Sequence, residues 1–270
     1  MFFVVKISVI LTVALVAVFI IFGLLLGVIE RATLKILLRN YGEKSIIITG
    51  MIGTIIHELS HFLMCKIFFH KVNNVKLFSF KIKDNTLGYV NHSYNRKNPY
   101  ARVGNFFIGI APILFGTAII ILLFRLLLPQ SWDIIISKFS FSSYINLSNH
   151  FNLASFLEIL IKDSWLIIKT LFAWDNIISI KFWIFLFIVF SISNHMSLSR
   201  ADINNSLDGL IFIFLLNFLI CGVFLLLGIS FNQLIYLVLS YNILLITFLF
   251  VALIFSLISY ILANLISIVK

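Results

Sequence analysis

Polar residues along this chain gather into short clusters that separate long apolar runs. A helix needs about 20 mainly apolar residues to cross a hydrocarbon layer. Runs of that character fall at 7–29, 46–69, 103–128, 182–197 and 209–228. A last run, 234–269, is too long for one untilted helix, so it tilts, extends past the bilayer or breaks near 240–242. The pattern predicts an all-α polytopic membrane protein of about six transmembrane helices, with five and seven as neighbouring counts. The first run is too long for a signal-peptide core and no small-residue cleavage site closes it, which predicts a retained span.

Between the runs the period changes. From Val75 to Lys83 apolar and polar residues alternate, as in a half-buried strand. Asp84 and Asn85 then suit a turn, and Leu87 to Val90 begin a returning strand. A small β-hairpin is therefore expected next to the second span, where its free edge could hold an extended peptide. The stretch 129–181 mixes polar and apolar residues around Trp132, Trp165 and Trp174 and predicts an amphipathic interfacial insertion. The chain divides accordingly into 1–45 (first span and loop), 46–128 (second span, basic hairpin loop and third span), 129–181 (insertion) and 182–270 (later spans).

Composition agrees with this pattern. The chain is 61% hydrophobic and 11% charged, with a mean hydropathy of +1.13, which excludes an ordinary soluble domain. The net charge of +10 does not call for nucleic acid, because the basic residues lie between spans, where the positive-inside rule accounts for them. Lys66, Lys71, Lys76, Lys81, Lys83, Arg96, Lys97 and Arg102 fall in one loop, which predicts that this loop and both termini are cytoplasmic. The basic stretch 30–44 then falls on the outer side. That position requires either an interfacial amphipathic helix or a second segment that does not fully cross. The two cysteines, Cys65 and Cys221, lie in apolar runs and imply no disulfide framework.

The second run carries the candidate chemistry. It holds no charge until His57-Glu58-Leu59-Ser60-His61, and a charged group in such a setting costs several kcal/mol without a partner or a function. His57 and His61 are one helical turn apart on the same face, and Glu58 lies beside them in an HExxH arrangement suited to a metal-dependent hydrolase. A catalytic zinc takes three protein ligands and keeps one position open. The third is sought in the polar interruption 193–209, among His195, Asp202 and Asp208. Ser199 and Asp202 also match a helix capping box, and Asp208 also reads as a polar residue at the membrane edge. Cys65, one turn past His61, is a conceivable thiolate ligand but reads more simply as a packed small residue. Asn105, Asn194 and His195 are candidate substrate-binding residues, although interhelical hydrogen bonding explains the asparagines equally. His70, His92 and His150 read as solvated loop residues.

HELSH within an apolar helix, the strand-rich loop with Gly88-Tyr89-Val90 and the segment GNFFIGIAP at 104–112 resemble the site-2-protease group of intramembrane metalloproteases, and most of all a divergent bacterial branch. The resemblance covers 46–209 apart from the insertion. It implies Zn2+ held by His57, His61 and an aspartate from a later span, with Glu58 as general base. It also implies membrane-spanning or membrane-adjacent protein substrates and a location in a bacterial cell membrane. Leu207-Asp208-Gly209 repeats the letters of one signature of the group, without its usual prolines and glycines. In the divergent branch a His precedes the ligand Asp by seven residues, as His195 precedes Asp202. Asp202 is the favoured third ligand on that resemblance, with Asp208 the alternative. The expected function is an intramembrane zinc endopeptidase. The alternatives are a non-catalytic partner-binding protein of the same fold and a metal or ion transporter.

Overall fold

The structure is a computed structural model that describes residues 2–80, 86–139, 153–229 and 231–268. The chain runs through α1 (Phe2–Tyr41), α2 (Glu43–Ile67), β1 (Lys71–Lys76), β2 (Tyr89–Ser93), α3 (Pro99–Leu127) and α4 (Pro129–Lys138). It continues through α5 (Leu153–Leu171), α6 (Trp174–Ile177), α7 (Ile180–Ser193), α8 (Arg200–Leu226) and α9 (Phe231–Ile268). Among the described residues, five helices, α1, α2, α3, α8 and α9, contain stretches long and apolar enough to cross a membrane. The molecule is thus a mainly helical, multi-pass membrane protein with a two-stranded antiparallel sheet.

Element ends follow local chemistry. Asn98 caps α3 by accepting from the amides of Tyr100 and Ala101, and Pro99 stands at the first turn, where no amide is needed. Ser199 and Asp202 form a reciprocal capping box at the start of α8. Gly42, at φ 70°, separates α1 from α2. The main core joins Phe19, Phe22 and Leu26 of α1 to Ile110 and Ile113 of α3 and to Val189 of α7, with further apolar residues from α9.

Close helix approach rests on small residues. A Cβ on Gly53 of α2 would collide with the Ser191 carbonyl of α7, and one on Gly109 of α3 would collide with Asp202 and Ser206 of α8. Gly209 of α8 lies in the same way against Phe106 of α3. These contacts bring α2 close to α7 and α3 close to the start of α8.

Three expectations differ from the observed elements, and the alternatives left open for the last run are narrowed. The segment 30–44 is no loop: α1 runs on as one helix to Tyr41, because nothing before Gly42 interrupts it. The last run does not break near 240–242, since α9 is continuous from Phe231 to Ile268. The run 182–197 is the 14-residue helix α7, which stops at the Asn194 cap and falls short of the long apolar helices. Among the described residues the hairpin pairs Lys71–Lys76 with Tyr89–Ser93, so its first strand begins before the expected start at Val75. The alternating side chains of Phe78 and Phe80 pack edge-to-face on each other, with ring centroids 5.2 Å apart, instead of facing a ladder partner. The expected turn at Asp84 and Asn85 lies outside the described residues. The insertion holds α4, α5 and α6, and 140–152, including His150, lies outside the described residues.

Candidate metal centre

The α-helical spacing of His57 and His61 places the two rings edge-to-face with centroids 4.9 Å apart. Each ring uses Nδ1 to donate to a backbone carbonyl: His57 to that of His195 at 2.7 Å, and His61 to that of Ile108 at 2.8 Å. A carbonyl only accepts, so in the neutral rings both Nε2 atoms carry lone pairs. Those two atoms face each other at 3.1 Å. Asp202 completes the group, with Oδ1 3.3 Å from His61 Nε2 and Oδ2 3.9 Å from His57 Nε2.

Two lone pairs and a carboxylate converging in a buried space repel one another unless a cation lies among them. All three ligand atoms lie within 4.8 Å of one another. Bonds of the usual length in a tetrahedral centre put nitrogen and oxygen ligands about 3.3 Å apart, so the observed spacing fits a metal ion. The carbonyl partners of both Nδ1 atoms are the outer-shell support that orients metal-binding histidines.

Asp202 satisfies both readings made of it. Its Oδ2 accepts from the Ser199 amide at 2.8 Å, and its own amide donates to Ser199 Oγ at 3.1 Å. The cap holds the carboxylate in place while Oδ1 remains turned to His61. Asp208 is engaged elsewhere: it accepts from Asn105 Nδ2 and from the Tyr94 hydroxyl, and Arg102 lies 3.8 Å away. Asn105 is thereby committed to Asp208. Asn194 donates to Ser259 at 2.7 Å and accepts from Ser256 at 3.1 Å, an interhelical link and not a surface for substrate. His195 contributes its backbone carbonyl to His57, while its ring lines a cavity.

That cavity measures about 590 Å³, and Thr54, His57, Glu58 and His195 are among the residues that line it. Gly88 from the hairpin lies against Glu58: a Cβ there would come within 2.7 Å of the Glu58 Cγ. Glu30, Arg31 and Lys35 of α1 also line it. Thr54 and His195 contribute to the wall, and Thr54 Oγ1 and His195 Nε2 themselves are buried behind it without a hydrogen-bond partner.

Cys65 does not join this centre; its partners are His70 and His92, in a second compact group. Neither histidine is a solvated loop residue. His70 is buried and His92 half-buried, and burial pushes both below the ordinary histidine value, favouring neutral rings. Reading the residue types alone missed this pairing, and also the carbonyls of Ile108 and His195, which have no side-chain signature. No family model, curated protein or solved structure matches the chain.

Proposed function

We propose that the chain is a zinc-dependent intramembrane endopeptidase of the site-2-protease type, acting on membrane-spanning or membrane-adjacent protein substrates. The observation that carries this reading is the convergence of His57, His61 and Asp202, with Glu58 next in the chain and lining the adjoining cavity. A zinc ion bound by these three residues supplies Lewis acidity, which acidifies water and polarises a peptide carbonyl. His57 and His61 offer Nε2 as ligand atoms, oriented by the carbonyls of His195 and Ile108. Glu58, 9% exposed and facing the cavity, takes the proton of the attacking water on its carboxylate and returns it to the departing amine.

In this reading α7 counts as a sixth, short span. Its early stop leaves the segment from Asn194 to Ser199 beside the metal residues, and both termini face the cytoplasm of a bacterial cell. The test compares membranes from cells carrying wild type or Glu58→Gln with a co-expressed membrane substrate. Both proteins should retain zinc, and only wild type should generate substrate fragments. A wild type that holds no zinc in mild detergent at neutral pH, or fragments that persist in Glu58→Gln, would overturn the proposal.

A further inference from the structure

Three features of the segment after α2 converge on Cys65. Phe69 holds a left-handed backbone, φ 58°, where glycine is usual, and the His70 amide closes back onto the Cys65 carbonyl at 2.8 Å. A non-glycine residue in this region is strained, and the turn it makes sets His70 over the end of α2. The register of β1 and β2 shifts between Val72 and Asn74, directly beside the Val72–His92 pair. Such irregularities re-aim side chains, and here the ring of His92 comes to face His70, with the two Nδ1 atoms 3.0 Å apart. His70 Nε2 donates to the Ala101 carbonyl at 2.8 Å, so in its neutral form Nδ1 presents a lone pair to His92.

We propose that Cys65, His70 and His92 form a second metal site, separate from His57, His61 and Asp202, that takes one zinc(II) or copper(I) ion. The three ligand atoms lie within 4.8 Å of one another. A thiolate with two imidazoles suits the softer late transition ions and not magnesium or calcium. The Ala101 carbonyl is an outer-shell orienter, as the Ile108 carbonyl is for His61. Tyr94 stacks on His70 with centroids 4.8 Å apart and fixes the ring plane. The ion ties β2, through His92, to the end of α2, and so holds in place the hairpin whose Gly88 covers Glu58.

The test uses the purified full chain, stripped of metal and reloaded with cobalt(II) or, without oxygen, with copper(I). Wild type should take up about two cobalt ions and show thiolate-to-cobalt charge-transfer absorption in the near ultraviolet. Cys65→Ser should lose that absorption and one ion. Asp202→Asn should lose one ion and keep the absorption. His92→Ala, on the half-buried strand, should behave like Cys65→Ser and serves if the cysteine variant fails to fold. A Cys65-dependent equivalent seen only with copper(I) identifies copper as the ion. The proposal is overturned if neither ion shows a Cys65-dependent equivalent, or if a single equivalent depends on Cys65 and Asp202 together. A wild type with one ion and the absorption, both unaffected by Asp202→Asn, would instead remove the first centre and leave the second.

Discussion

Asp202 uses its two oxygens for different purposes, and that separation can be tested. Asn at this position keeps an oxygen to accept from the Ser199 amide but removes the charge facing His61. Asp202→Asn should therefore fold and melt close to wild type while zinc affinity falls by more than the roughly 10–100-fold that losing an outer-shell partner costs. Asp202→Ala should also lose the bond from the Ser199 amide while keeping the one to Ser199 Oγ, lowering stability by about 1 kcal/mol. Asp208→Asn should leave zinc content unchanged, because its partners are Asn105, Tyr94 and Arg102. Metal content after gel filtration and melting in detergent measure both effects. The pairing of His57 with His61 is legible in the sequence because four-residue spacing on a helix is a local fact. The choice between Asp202 and Asp208 is not local, since it depends on which turn of α8 faces α2. The carbonyls of Ile108 and His195 were invisible because every residue carries the same backbone group.

At the scale of elements, α3 and α8 bring Asp202 to the histidines only because glycines let them approach. Gly109→Val should force α8 away from α3, costing about 1–3 kcal/mol and releasing metal with it. Gly222→Ala is the matching control on α8. A Cβ there meets nothing within 4 Å, so this change should be neutral or slightly stabilising. A second element-scale prediction concerns Asp163 on α5, whose carboxyl is pushed up to about 6 by burial. Between the ordinary carboxylate value near 4 and about 6 the folded chain keeps a proton that the unfolded chain loses. Stability contributed by this group should therefore fall as pH rises through that window and level off above it. Asp163→Asn should raise the melting temperature at pH 7–8 and change little at pH 4, as scanning fluorimetry in detergent would show. Long apolar helices were legible from run length alone, whereas the hairpin was displaced from its expected register. Alternation at 75–83 suits a pleated surface, but Phe78 and Phe80 pack edge-to-face on each other and Phe80 stays 74% exposed. Pairing was decided instead by which residues could reach Tyr89–Ser93.

For the whole molecule, the continuation of α1 past residue 29 changes what the metal residues face. A loop there would have left Glu58 open on that side. A continuous helix instead closes a cavity of about 590 Å³ between α1, α2, the hairpin and the 195–199 segment. His57 and Glu58 line it together with Glu30, Arg31 and Lys35, and Glu30 accepts from Ser197. If this is where a peptide lies during cleavage, filling it should harm turnover without touching the metal. Leu34 lines the cavity from α1, so Leu34→Trp places a larger ring where the substrate would pass. Its expected effect is a loss of roughly 10-fold or more in cleavage, since small displacements from the reacting geometry are costly. Zinc content should match wild type, because Leu34 lies on a different helix from every ligand. Ile48→Trp is the control, a comparable enlargement on α2 at a side chain that is 62% exposed and does not line the cavity. Equal cleavage by Leu34→Trp and wild type would mean that substrate reaches Glu58 by another face of α2. A loss shared by both tryptophan variants would point to a general disturbance of the α1–α2 pair, and only a loss confined to Leu34 ties substrate to the cavity.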